Sequence, residues 1–156
     1  MKFIPPDERE QLSGAKDPKA RTHAAVELAD AHLTRAEQFT EKKKFDLAAG
    51  ELGNYLALID DALKFLGKMN SHSGKTRDLY KHLDLALRAH LPHLARIRRS
   101  TPAEYAANIK DAEEFARNAR SEALDPFYGQ RISGEGNEKS TGDKAKSPSP
   151  PNNREP

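Results

Sequence analysis

From Phe45 to Leu66 the apolar residues Phe45, Ala48, Ala49, Leu52, Tyr55, Leu56, Ile59, Ala62, Leu63 and Leu66 recur at steps of three and four. That spacing puts them on one side of an α-helix and scatters them over both faces of a strand. Gly67 follows, a residue that leaves a helix through the left-handed region without a Cβ clash. A stripe of this kind needs a partner surface, and three further stretches supply it. Asp17-Pro18 is a helix start, with Asp at the N-cap and Pro at the first helical position. Ala25, Leu28, Ala29, His32, Ala36 and Phe39 continue it. After a polar loop from Gly67 to Gly74, a third stripe runs through Leu79, Leu83, Ala86, Leu87, His90, Leu94 and Ile97, with Pro92 inside it predicted to kink or break the helix. Thr101-Pro102-Ala103-Glu104 reads as a capping box ahead of a fourth stripe, Tyr105, Ile109, Ala112, Phe115, Ala116, Ala119 and Ala123, stopped by Asp125-Pro126.

Four matched helices joined by short loops predict an all-α fold, an antiparallel four-helix bundle of up-down-up-down order over residues 17–128. Residues 1–16 read as an N-terminal arm whose apolar contacts are limited to Phe3, Ile4 and Leu12. Residues 129–156 are rich in Gly, Ser, Lys, Asn and Pro, with Ile132 their one large aliphatic residue; they bury too little to offset the entropy of ordering and are predicted to be disordered.

The chain is 36% hydrophobic and 32% charged, a balance that suits slender helices with a wide solvated face. It has no cysteine, which excludes disulfides, thiolate zinc sites and cysteine nucleophiles. The formal net charge is only +2, so the sequence as a whole does not demand a nucleic-acid partner. No stretch approaches the roughly 20 apolar residues of a membrane span and the start lacks a signal-peptide core, so a cytoplasmic location is expected.

Ser73-Gly74-Lys75-Thr76 resembles the end of a phosphate-binding loop, but Met69 stands where that loop needs glycine and no strand precedes it. His90 and His93 are one turn apart, yet no Glu-x-x-His pair of the di-metal bundles occurs, and His32 and His90 lie on apolar stripes where a hydrogen-bonded packing role is the simpler reading. Asp60-Asp61 and Glu113-Glu114 are adjacent pairs that diverge by about 100° on a helix, which suits solvated faces rather than paired acid-base catalysis. There is no Gly-x-Ser-x-Gly elbow. No cofactor, metal or catalytic group is therefore assigned.

Two features remain. Gly50 and Gly53 interrupt the second helix at about 1 kcal/mol each relative to alanine. With Asp46 and Ala57 they mark a face of small residues, either tolerated glycines or a groove for a partner helix, a second copy of the chain included. Lys42, Lys43 and Lys44 fill the first turn-around and Arg96, Arg98 and Arg99 end the third helix. Both sets suit a loop and a helix C-terminus, and in an up-down bundle they fall at one end, where they would meet an acidic protein, a phospholipid or RNA.

Ala36, Phe39, Phe45, Ala48 and Leu52 also fall where a tetratricopeptide repeat places its small and aromatic packing residues, so Ala36–Leu52 resembles part of one such repeat. The sequence departs from that pattern at Tyr55, at Lys43 in place of the turn glycine and at Asp60 in place of the terminal proline. The resemblance implies a tight αα-hairpin and an interaction module, and carries over no binding residues. The expected function is that of a non-enzymatic helical protein-interaction or scaffold module. The alternative is a regulatory module that binds nucleic acid or another anion through its Lys/Arg end.

Overall fold

The computed structural model describes residues 2–123 apart from residues 71 and 108. The predicted end of the last helix near Pro126 and the disorder predicted for 129–156 lie outside the described residues. The described residues belong to one compact unit, Met1–Leu124, and are helical without a strand. Their helices are α1 (Pro6–Ser13), α2 (Pro18–Glu41), α3 (Phe45–Gly67) and α4 (Gly74–Arg99). A 3-10 turn at Ala103–Tyr105 leads into a last helical stretch, α5, over residues 109–123.

Asp17 caps α2 as its side chain suggests, its Oδ1 accepting the Ala20 N–H at 2.7 Å. Arg21 near the start of α2 meets Asp61 near the end of α3, and His32 in mid-helix meets Glu51, so these two helices run antiparallel. α4 lies along α2 in the same direction, with His23 against His82, Asp30 against His90 and Glu37 against Arg96. α5 returns against α4, pairing Arg98 with Glu113 and Asp84 with Arg120.

Most of the core comes from the predicted stripes: Leu52, Tyr55, Leu66, Leu83, Leu87 and Leu94 are at most 2% exposed, and Ala112, Ala116 and Ala123 are fully buried. α3 buries more than its stripe. Gly53, Ala57 and Leu58 are also inside, so little of its circumference is left to water. A helix apolar around most of its girth belongs in the middle of its neighbours.

Residues 1–16, expected as an arm, contain α1, and two of the three residues expected to dock, Ile4 and Leu12, are buried, with Arg21 Nη1 donating to the Leu12 carbonyl at 3.4 Å. Of the kink or break expected at Pro92, the break does not occur: α4 is continuous over the 26 residues Gly74–Arg99. Pro92 and Arg88, whose carbonyl loses its usual partner, both face solvent, where water can satisfy that oxygen. The capping box at Thr101 does not form either. The Thr101 hydroxyl donates backward to the Ile97 carbonyl at 2.6 Å, closing the end of α4 rather than opening the next helix.

Candidate functional site

The polar framework was the part least visible in the sequence, because its partners are far apart along the chain. His32 is buried between Glu8 of α1, 2.8 Å from Nε2, and Glu51 of α3, 2.5 Å from Nδ1. A carboxylate thus flanks each ring nitrogen, and Arg35 Nη2 also lies 2.9 Å from Nδ1. Arg35 Nε adds a donor to Glu51 at 3.1 Å. His90 is satisfied differently. Its Nε2–H donates to Asp30 at 2.9 Å, which leaves Nδ1 to accept the Tyr55 hydroxyl at 3.1 Å. Burial lowers the His90 pKa, against the opposing pull of Asp30, and burial first, then Asp30, raises that of Tyr55. A neutral imidazole held as an acceptor and a tyrosine held as a donor agree with both directions. Among the described residues no three His, Asp or Glu side chains converge as metal ligands.

The two features singled out in the sequence fare differently. An added Cβ at Gly50 would meet nothing within 4 Å, so this position is open. Gly53 is buried, and Ala57 lines a cleft shared with Lys2, Phe3 and Ile4 of the chain's own N-terminal segment. The small-residue face is therefore no continuous exposed groove, because this chain covers part of it.

The first turn-around is built by the backbone. Lys44 N–H bonds to the Phe39 carbonyl at 2.8 Å and Lys43 N–H to the Thr40 carbonyl at 3.0 Å, the paired bonds of a Schellman motif. Its left-handed position, commonly glycine, is Lys43 at φ 62°. A non-glycine residue there bears a cost of roughly 1–2 kcal/mol. Lys42, Lys43 and Lys44 are exposed and make no ion pair among the described residues.

The end of α4 lies at the same end of the unit. Glu37, Thr40 and Glu41 of α2 line a small cleft with Arg96, Ile97 and Ser100, and the Phe45 and Tyr105 rings sit 5.4 Å apart. The arginines are not equivalent. Arg96 bonds to Glu37 at 3.3 Å, and the same carboxylate holds His93. Arg98 reaches Glu113 of α5 at 2.5 Å, and that carboxylate is buried, contrary to the solvated role expected for Glu113-Glu114. Asp61 departs from that expectation too, accepting both Arg21 contacts at 3.0 and 3.2 Å. Arg96 and Arg98 thus tie α4 to α2 and α5, whereas Arg99 is exposed and, among the described residues, without an ion pair.

Among the described residues, the exposed cations without an ion pair at this end include Lys42, Lys43, Lys44 and Arg99, with Lys110 one turn before Glu113. Among the described residues no helix is long and apolar enough to cross a membrane. Comparison with protein-family models, curated proteins and solved structures finds no match to this chain.

Proposed function

We propose that the chain is a non-enzymatic helical interaction module of the cytoplasm that holds an acidic surface of a protein partner through Lys42, Lys43, Lys44 and Arg99. The observation that carries this reading is the division of labour among the cations: Arg96 and Arg98 are spent on Glu37 and Glu113, while the other four are exposed without an ion pair among the described residues. Lys43 strengthens it. A lysine occupies a backbone position that glycine fits at lower cost, so its charge is retained against local strain. In this reading α2 to α5 close as an up-down-up-down four-helix bundle, which brings the first and third connections to one end and makes the four charges a single patch.

A second reading keeps the same patch and gives it nucleic acid. Phosphate binding needs the same cations, but one pair of half-buried rings, Phe45 and Tyr105, is a small stacking surface for bases, so the protein partner is preferred. Quantitative affinity purification from the source cell separates the two, using wild type and a Lys42→Glu/Lys44→Glu/Arg99→Glu variant with and without nuclease. Recovery of an acidic protein that resists nuclease, weakens with salt and disappears in the variant supports the first reading. Nuclease-sensitive recovery transfers the patch to the second, and equal recovery by the variant rejects both.

A further inference from the structure

At the opposite end of α2 from Lys42–Lys44, where α2 and α4 begin, a cleft of about 600 Å³ opens between them. This volume is in the range of small-molecule sites, which join an apolar floor to a few polar groups. Leu79, Pro18 and Met69 supply the apolar floor, with Leu79 itself buried. Lys19 from α2 and Lys75 from α4 supply cations, and neither makes an ion pair among the described residues. His23 and His82 stack across the two helices with ring centroids 4.0 Å apart and planes 9° from parallel. The lining also carries two carboxylates, Asp17, whose Oδ1 accepts the Ala20 N–H as the cap of α2, and Asp78 of α4.

We propose that this cleft binds a small amphiphilic organic acid, with its apolar body on Leu79, Met69 and Pro18 and its carboxylate met by Lys19, Lys75 and the edge of the His23–His82 stack. The stack gives the site its pH dependence. Two imidazoles in face-to-face contact resist protonation together, and burial followed by the charge of His23 holds His82 below the ordinary histidine value. A bound carboxylate offsets that repulsion, so ligand and proton enter together and binding tightens as the solution becomes more acid. Asp17 and Asp78 face the same space as Lys19 and Lys75 and reduce the gain, which the histidine stack carries.

Benzoate is a suitable probe, added to the full chain while the imidazole Cε1–H signals are followed by NMR at about pH 8 and about pH 5.5, either side of the histidine range. Chloride at equal ionic strength serves as charge without an apolar body, and cyclohexanol as an apolar body without charge. The expected result is a saturable shift of the His23 and His82 signals, about tenfold tighter at the lower pH, and about tenfold weaker in a Lys19→Ala/Lys75→Ala variant. Both lysines are exposed, so the variant should keep the wild-type circular dichroism. Absence of saturation at either pH overturns the proposal. Shifts reproduced by chloride or by cyclohexanol, or unchanged in the lysine variant, overturn it equally.

Discussion

The glycine face of α3 and the Lys/Arg end drew equal attention in the sequence, and the fold treats them in opposite ways. Gly53 and Ala57 are buried, with the chain's own N-terminal segment beside Ala57, whereas Lys42, Lys43, Lys44 and Arg99 stay in water. A small residue inside an apolar helix invites a neighbour, and the nearest neighbour is another part of the same chain. Surplus charge behaves otherwise. It stays at the surface even when paired: Arg96 and Arg98 have a carboxylate partner and remain exposed, and the other four cations have no such partner among the described residues.

The largest test of this contrast is removal of residues 1–16. Burial of Ile4 and Leu12 contributes about 3 to 6 kcal/mol together, as an upper estimate, so urea denaturation of the truncated chain should show a much lower midpoint. An unchanged midpoint would mean that these contacts contribute little and that the groove beside Ala57 is open. A finer test replaces the two glycines separately. Gly53→Leu should cost about 1 to 3 kcal/mol by overpacking a buried position, while Gly50→Leu, with open space above it, should be neutral or stabilise by up to about 1 kcal/mol. Equal effects would mean that both glycines share one environment.

Acid provides a third perturbation, directed at the buried framework rather than at the patch. His90 titrates below the ordinary value of about 6.5 in the folded chain, so unfolding takes up protons. Its contribution is fully present above about pH 6.5 and is lost as pH falls through the folded value, with a slope of at most about 1.4 kcal/mol per pH unit for each proton. Denaturation midpoints measured from neutral to mildly acid pH should therefore fall; a flat profile would mean that Asp30 cancels the effect of burial, and a rise that it outweighs it. The smallest expected effect is at the patch itself. Lys43→Gly relieves the left-handed strain and should stabilise by about 1 kcal/mol while weakening the partner interaction, and a loss of stability would remove the argument from strain.

The helices were legible because their information is local. Periodicity found the stripes of α2, α3 and α4, and Asp17 announced its own cap. Most misreadings came where two local solutions compete or where a partner is distant. Thr101 can cap forward or bond backward, and the Ile97 carbonyl won. α1 lacks a strong stripe and is held by two buried residues and the Glu8–His32 contact, none of which shows as a period. The cations were visible as a list but not as a division, because Glu37 and Glu113 are brought to Arg96 and Arg98 only when α2 and α5 pack on α4.

Carbodiimide cross-linking in a lysate of the source cell, which couples lysine amines to carboxylates with loss of water and is read by mass spectrometry, tests the functional assignment most directly, since lysines are both the reporters and the residues at issue. Intermolecular links should concentrate at Lys42, Lys43 and Lys44, join them to a carboxylate-rich segment of one partner and vanish at high salt, while exposed Lys19, Lys75 and Lys81 remain unlinked. Intermolecular links spread evenly over the exposed lysines, or absent from Lys42–Lys44 while present elsewhere, would contradict a patch that holds a partner.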